Sequence, residues 1–198
     1  MFRIGFGNDI HRLVEGKPLI LGGVLIPAEK GAEGHSDADA LLHAVTDAIL
    51  GALALGDIGT HFSDKDERWK NADSLIFLNE AVQIMKEKGF AIVNLDSIIN
   101  LEKPKLRPHI QTMRENLARS LEVDLDFISV KAKTGEKIDA VGESRAIKAE
   151  VIVLLQNRIN NMRLPELLRR FVGQSAKLPT KFDLFHQFAR HLLCRNSN

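Results

Sequence analysis

The sequence is almost without cysteine. Cys194 is the only one in 198 residues and sits close to the C-terminus. A single thiol can form neither an intramolecular disulfide nor a thiolate metal cluster. The composition therefore favours a reducing compartment, which we expect to be the cytoplasm, or the plastid stroma if the source is a plant or alga.

Long apolar runs and an excess of charge are also missing. The N-terminus has no apolar run of signal-peptide length, and the stretch AVTDAILGALALG is interrupted by Asp47 and too short to span a bilayer. The net charge of +1 gives no general attraction to nucleic acid or membranes, and 44% hydrophobic with 27% charged residues is typical of a soluble globular protein. The composition is therefore consistent with an enzyme or a binding protein whose core has no nucleic-acid or membrane partner.

The charge is distributed unevenly along the chain. Residues 157–198 carry eight basic and two acidic residues, which leaves 19 basic and 24 acidic residues in 1–156. We therefore predict one catalytic domain over 1–156 and a basic extension over 157–198. Within the extension, KFDLFHQFARHLL has the spacing of an amphipathic helix for a partner or membrane surface, but it also fits a loosely packed segment irrelevant to catalysis.

Hydrophobic periodicity predicts an alternating order of strands and helices. We expect strands over 2–12, 90–102, 126–136 and 144–156, a hairpin over 18–27, and helices over 36–55, 72–89 and 107–123. Ser36 and Asp39 approximate a capping box at the start of the first helix. The predicted fold class is α/β (α+β), with a single layer of helices packed on a mostly four-stranded mixed sheet and a small N-terminal hairpin.

Three side chains could form a metal site. Asp9 and His11 are two residues apart on a strand, so both leave the same face. Two such ligands with His43 would give the three His or carboxylate ligands of a catalytic zinc site. The alternative is that Asp9 and His11 are ordinary surface residues.

The stretch GHSDADALLH is unusually polar for the start of an amphipathic helix. His35 and Ser36 would lie at its N-terminus, where free N–H groups favour an anionic ligand such as phosphate, although capping explains Ser36 equally well. Asp39, His43 and Asp47 follow at helical spacing and could be only a solvated stripe. Asp39 could bind a substrate hydroxyl or orient His43 from one turn away.

Three loops offer further polar groups. The acidic loop could hold cations or substrate hydroxyls and contains Asp57, Gly59, Phe62, Asp64 and Asp66. KTGEK at 133–137 could bind a small ligand at a strand end, and EKPKLRPH at 102–109 could be a stiff turn into a helix. Each of these loops by itself is equally consistent with an ordinary surface.

Taken together, these motifs resemble the 2-C-methyl-D-erythritol 2,4-cyclodiphosphate synthase family. The resemblance runs from residue 3 to about 156 through RIGFGNDIHR, LGGVLIP, GHSDADALLHAVTDAILGALALGDIGTHFSD, ADS, PKLRPHI and VKAKTGEK. It implies closure of 4-diphosphocytidyl-2-C-methyl-D-erythritol 2-phosphate to the cyclic diphosphate with release of CMP, in the non-mevalonate pathway to isoprenoid precursors. The enzyme class that the resemblance implies is a phosphorus–oxygen lyase.

The resemblance also implies cofactors and catalytic residues. Asp9, His11 and His43 match the ligands of Zn²⁺ or another divalent transition metal, and Glu136 matches a helper for a second ion, Mg²⁺ or Mn²⁺. His35 and Thr134 match the family's pair of transition-state-stabilising residues. No protein nucleophile is implied, because the substrate's own 2-phosphate attacks.

The substrate contacts follow in the same way. Positions matching the methylerythritol and phosphate contacts are Ser36, Asp57, Gly59, Phe62, Asp64 and Asp66, with Asp39 as a further candidate. Positions matching the cytidine pocket are Leu101, Pro104, Lys105, Arg107, Lys133 and Thr134. Family members are homotrimers with active sites between adjacent subunits, so the zinc site and the nucleotide pocket are expected to meet from different chains.

Two other functions fit the same residues. A metal-dependent phosphohydrolase would use water as the nucleophile on the same site and release a linear phosphate. A binding protein without catalysis is the third possibility, which the intact set of predicted functional residues disfavours.

Overall fold

Seven strands and five helices make up the part of the chain that the computed structural model describes, residues 1–158. The strands are β1 Phe2–Glu15, β2 Leu19–Leu21, β3 Val24–Ile26, β4 Lys30–Glu33, β5 Phe90–Asn100, β6 Ile128–Lys133 and β7 Ala146–Asn157. The helices are α1 Ala40–Ala52, α2 Ile58–His61, α3 Leu75–Glu87, α4 Ile110–Leu121 and α5 Asp139–Gly142. The amphipathic stretch predicted in the tail lies outside the described residues.

Five of the strands form one mixed sheet in the order β4-β1-β7-β5-β6. β5 and β6 pair in parallel, whereas the other neighbours pair antiparallel. β2 and β3 form a separate hairpin whose turn residues, Gly22 and Gly23, have φ of 58° and 69°. The left-handed backbone at both turn positions explains why glycine is used there. The predicted fold class and hairpin are confirmed.

The sheet has one strand more than the four that were predicted. β4 adds to the edge of the sheet by pairing antiparallel with the end of β1, from Arg12 opposite Glu33 to Glu15 opposite Lys30. Its sequence, KGAE, contains no β-branched or aromatic residue, so local propensity does not indicate a strand. The short helices α2 and α5 were likewise not predicted, because four residues carry no helical period.

Burial alternates along β1 and divides its side chains between two faces. Odd-numbered residues from Gly5 to Leu13 lie on the side covered by helices, whereas Phe2, Ile4, Phe6 and Ile10 are exposed on the other side. Asp9 and His11 therefore do share a face, as the spacing predicts, and it is the face that α1 covers. The strand itself aims these two side chains at the helix layer.

Helix α1 is the centre of the fold. Ten of its thirteen residues are buried, and the helix contacts β1, β7 and α3. A helix that is apolar around most of its circumference is stable only when covered on all sides. Two glycines of β1 let it approach closely, because a Cβ at Gly7 would lie 2.0 Å from the carbonyl oxygen of Ala44 and one at Gly5 would lie 1.8 Å from that of Ala48.

The start of α1 differs from the prediction. The helix begins at Ala40, and its N-cap is Asp39, whose side chain accepts hydrogen bonds from the backbone N–H groups of Leu41 and Leu42 at 3.1 and 3.0 Å. Ser36 does not cap the helix, and its Oγ accepts instead from the backbone N–H of Ala38 at 3.2 Å. His35 and Ser36 therefore precede the first turn rather than lie at the helix N-terminus.

The helices are short compared with the thickness of a membrane. Within residues 1–158, none is long and apolar enough to cross a bilayer. The longest helices, α1 and α3, have 13 residues each, whereas a span needs about 20 residues.

Candidate metal centre and substrate site

The structure brings the three predicted metal ligands together. His11 Nε2 and His43 Nδ1 lie 2.9 and 3.0 Å from Asp9 Oδ2, and the two ring nitrogens are 3.2 Å apart. β1 supplies Asp9 and His11, and α1, packed on the same face of the strand, supplies His43. The side chains of Asp9, His11 and His43 keep 23%, 15% and 12% exposure, so a solute can reach them.

The residues fit a divalent ion. Ligand atoms of a tetrahedral zinc site lie about 2.0–2.1 Å from the metal and therefore about 3.3 Å from one another. The three separations of 2.9–3.2 Å need to open by only a few tenths of an ångström to reach that value. Two imidazoles and one carboxylate are also ligands that zinc prefers, and three of them leave one coordination position for substrate.

The electrostatics of the cluster favour a cation at its centre. Burial raises the pKa of the Asp9 carboxyl, but the hydrogen bonds and positive charges of His11 and His43 outweigh burial and hold that pKa far below its usual range. Burial lowers the pKa of His43, and Asp9 with the more distant Asp39 and Asp37 reverses this and raises it. The carboxylate is therefore ionised and available as a ligand at neutral pH.

His35 contacts the acidic loop, and the loop packs on helix α3. His35 Nε2 is 3.2 Å from the carbonyl oxygen of Asp66. The ring of Phe62 packs on Phe77 with centroids 4.8 Å apart, and Phe77 is 6.1 Å from the His43 ring. A continuous row of rings thus connects the loop to the metal ligand.

The other loop residues have local partners or remain exposed. Asp57 caps α2 by accepting from the Thr60 N–H and Oγ1, both at 2.8 Å. The carboxylate of Asp66 pairs with Arg68 at 2.6 Å. Gly59 and Asp64 are exposed. Of the five predicted loop residues, therefore, only two contact residues near the candidate metal ligands. The carbonyl oxygen of Asp66 contacts His35, and the ring of Phe62 contacts Phe77.

The predicted nucleotide residues form a second group. The backbone N–H of Leu101 donates to the Lys133 carbonyl at 2.9 Å, and Gly135 N–H donates to Glu102 Oε2 at 3.1 Å, so residues 101–102 lie beside residues 133–135. Thr134 Oγ1 donates to Glu136 Oε1 at 2.5 Å. The Leu101 side chain is buried in the core, which leaves any ligand contact of that residue to its backbone.

Within one chain the two groups stay apart. The metal ligands are on β1 and α1, whereas Thr134 follows β6, and strands β7 and β5 lie between β1 and β6. Three strand spacings of about 4.8 Å separate them by roughly 14 Å. The structure does not bring Thr134 or Glu136 to the metal ligands of the same chain.

A known protein family matches the chain over nearly all of its described residues. The sequence pattern of the YgbB family covers residues 2–156. The chain belongs to the YgbB family. A 2-C-methyl-D-erythritol 2,4-cyclodiphosphate synthase of Solibacter usitatus is 57% identical over 154 residues, which are 78% of this chain and 97% of that protein.

Solved structures of the same family are similar in fold. A structure of 2C-methyl-D-erythritol-2,4-cyclodiphosphate synthase in a form bound to CDP matches with a TM-score of 0.73 and 42% identity over 78% of this chain and all of that one. The bifunctional IspDF of Campylobacter jejuni matches with a TM-score of 0.76 and 39% identity over 79% of this chain. This YgbB-family chain spans only 42% of that longer protein.

Two residues of this YgbB-family site were missed by the sequence analysis. Ser74 Oγ lies 2.8 Å from His43 Nε2, and Asp37 accepts the Ser74 hydroxyl hydrogen. Ser74 belongs to the motif ADS, which supported the resemblance but had no predicted role. A serine directly before a helix is typical of an N-cap. The sequence therefore contained no signal for a contact between Ser74 and His43.

The structure gives Asp39 a role different from both that were predicted. Its side chain is fully buried, with Oδ1 accepting from Leu41 and Leu42 and Oδ2 accepting from Gly23 N–H at 2.7 Å. Both oxygens are therefore occupied by backbone donors. Asp39 neither faces a substrate hydroxyl nor hydrogen-bonds the His43 ring, and it instead ties the hairpin turn to the start of α1.

We predict that Asp39 makes stability depend on pH. Burial raises its pKa from 3.8 to about 6, although the backbone N–H groups of Gly23 and Leu42 act in the opposite direction. Because the folded pKa exceeds the unfolded one, this contribution to stability is fully present below pH 4 and is lost as pH rises through 6. A shift of this size corresponds to roughly 3 kcal/mol.

The prediction can be measured on metal-depleted full-length protein. A carbon NMR titration should show one carboxyl with a midpoint near 6. Urea unfolding should show wild type losing stability between pH 4 and 7 relative to Asp39→Ser, which keeps a helix-capping oxygen without the charge. A midpoint near the ordinary value would show that the backbone donors outweigh burial.

Proposed function

We propose that this chain closes 4-diphosphocytidyl-2-C-methyl-D-erythritol 2-phosphate to 2-C-methyl-D-erythritol 2,4-cyclodiphosphate and releases CMP. The proposal rests on the partly exposed cluster of Asp9, His11 and His43 in a chain of the YgbB family. In this reaction the 2-phosphate oxygen forms a bond to the β-phosphorus while the bond from that phosphorus to the oxygen bridging it to the α-phosphorus breaks. CMP leaves with that oxygen, and no protein nucleophile is needed.

The metal ligands serve this chemistry by holding a divalent ion, which we propose to be Zn²⁺. When bound, such an ion supplies Lewis acidity next to a diphosphate. Asp9, His11 and His43 fix its place, and their mutual distances of 2.9–3.2 Å support this assignment. We assign Glu136 to a second ion, Mg²⁺ or Mn²⁺, because carboxylate oxygens suit hard cations that also contact phosphate.

The remaining residues position the substrate and stabilise charge. We propose that His35 and Thr134 donate hydrogen bonds to phosphoryl oxygens as negative charge shifts from the attacking to the leaving oxygen. We assign the contacts with the methylerythritol and phosphate groups of the substrate to Ser36, Asp57, Gly59, Phe62, Asp64 and Asp66. We assign the contacts with the cytidine group to Leu101, Pro104, Lys105, Arg107 and Lys133. The structure of a related synthase bound to CDP supports a cytidine nucleotide as ligand.

We further propose that the active enzyme is a homotrimer with sites between subunits. The exposed face of β1 presents Phe2, Ile4, Phe6 and Ile10, and Ile152 of β7 is exposed beside Phe6. An apolar patch of this kind marks a protein interface. The distance between the zinc group and the Thr134 group in one chain supports completion of the site by a neighbouring subunit.

We place the enzyme in the cytoplasm, or in the plastid stroma if the source is a plant or alga. The single cysteine in 198 residues supports a reducing compartment of this kind.

The products of the reaction test the proposed activity. Incubation of the full chain with the cytidylyl substrate and Mg²⁺, followed by phosphorus NMR, should give equal amounts of cyclic diphosphate and CMP. A linear phosphate instead would indicate the phosphohydrolase, an alternative that the names of the related proteins do not support. Unchanged substrate with zinc and Mg²⁺ present would contradict catalysis altogether.

A further inference from the structure

The nitrogen of His43 that faces away from the candidate metal ligands has its own partners. His43 Nδ1 points at Asp9 and His11, whereas Nε2 lies 2.8 Å from Ser74 Oγ and 3.1 Å from Ser36 Oγ. Ser74 is fully buried, so water cannot replace it as a partner. The ring is thus held from both sides.

The Ser74 side chain does not cap a helix, although a serine at this position usually does. It is the N-cap residue of α3, yet its side chain makes no capping hydrogen bond. Its hydroxyl instead donates to Asp37 Oδ1, and its backbone N–H donates to Asp37 Oδ2 at 3.1 Å. A capping side chain contributes about 1 kcal/mol to a helix, and the Ser74 hydroxyl does not make this contribution because it contacts Asp37 instead.

The contacts of Asp37 and Ser74 determine whether the His43 ring carries a hydrogen toward Ser74. Both Asp37 oxygens accept from donors, so the single hydroxyl hydrogen of Ser74 points to Asp37. The Ser74 oxygen is then an acceptor toward His43, and the ring must carry its hydrogen on Nε2. When a metal takes the place of the Nδ1 hydrogen, the neutral ring would keep its hydrogen on Nε2 and present the lone pair of Nδ1, the atom that lies beside Asp9 and His11.

We propose that Asp37 and Ser74 are positioning residues that hold His43 in the Nε2–H tautomer and present its Nδ1 lone pair to the metal. The proposal rests on the zinc site proposed above. A carboxylate acting on a metal-bound histidine raises the basicity of the ligand and fixes its ring, and here a serine hydroxyl stands between the two. The chain Asp37, Ser74, His43 also ties the metal site to the start of α3.

The first test reads the tautomer without any variant or substrate. Nitrogen NMR of full-length protein labelled at histidine should show His43 protonated on Nε2 both with zinc and after its removal by a chelator. A His43 ring without a hydrogen on Nε2 in either state would overturn the proposal, whatever the variants do.

The second test measures zinc affinity by competition with a chromophoric chelator. Ser74→Ala and Asp37→Asn should each weaken zinc binding about 10- to 100-fold, the usual effect of removing such an outer partner. In Ser74→Ala the fraction of zinc-depleted rings that carry a hydrogen on Nε2 should also fall, because only the longer contact to Ser36 remains. Wild-type affinity in a folded Ser74→Ala would contradict the proposal.

Asp73→Asn is the matched control. Asp73 is exposed, precedes Ser74 directly and accepts from Leu75 N–H at 2.8 Å, so its replacement removes one negative charge beside Ser74 without touching His43. Its zinc affinity should equal that of wild type, and an equal loss would show that general charge explains the effect. Neither readout uses substrate, so a failure of the proposed activity is distinguishable from a failure of this proposal.

Discussion

Replacing His43 by alanine should abolish both zinc binding and turnover. The substitution removes one of the three ligand atoms and leaves Asp9 and His11 with an incomplete set. A Lewis acid next to a phosphoryl group contributes several kcal/mol to transition-state stabilisation. We therefore expect kcat/KM for CMP release to fall about 1,000-fold or more. Zinc content by mass spectrometry and a coupled CMP assay measure the two effects.

His109→Ala is a suitable control for the loss of an imidazole. His109 precedes α4, and its side chain makes no capping hydrogen bond there. Its replacement should leave zinc content and turnover unchanged. Full cyclisation by His43→Ala with wild-type KM would show that the proposed zinc site is not the reaction centre.

The sequence was sufficient to predict that Asp9 and His11 share a face, because their positions follow from regular geometry. A two-residue spacing on β1 places Asp9 and His11 on one face regardless of the rest of the fold. The structure shows why His43 meets them, since α1 packs on that face through Gly5 and Gly7. The sequence predicted the third ligand but contained no signal for this close approach.

Asp39 shows why the helix start was predicted wrongly. Both Ser36 and Asp39 are residue types that cap helices, so local sequence allows two starting points. The choice is made by the hairpin, because Gly23 N–H donates to Asp39 Oδ2 from a distant part of the chain. Ser74 escaped prediction for a similar reason, because its partner Asp37 is 37 residues away in sequence. Contacts between segments distant in sequence therefore determine where α1 begins and which partner Ser74 has, and local sequence patterns do not contain this information.

Replacing Gly7 by alanine should destabilise the fold by roughly 3 kcal/mol or more, at the upper end of the usual cost of overpacking. The new Cβ would lie 2.0 Å from Ala44 O and 2.7 Å from Ala48 N, both backbone atoms of α1 that cannot rotate away. Relief requires α1 to move off the strand, which also carries His43 away from Asp9. We therefore expect zinc affinity to fall as well, although no ligand is changed. Urea unfolding and chelator competition measure the two effects.

Gly51→Ala provides the matched comparison on the helix side. Gly51 is an exposed residue of α1, and a Cβ at this position would lie at an ordinary contact distance of 3.8 Å from Phe6 O. Alanine in a helix is favoured over glycine by about 1 kcal/mol, so this variant should be as stable as wild type or slightly more stable. Unchanged stability in Gly7→Ala would mean that α1 can shift freely. The close contact of strand and helix would then not be what brings His43 to its partners.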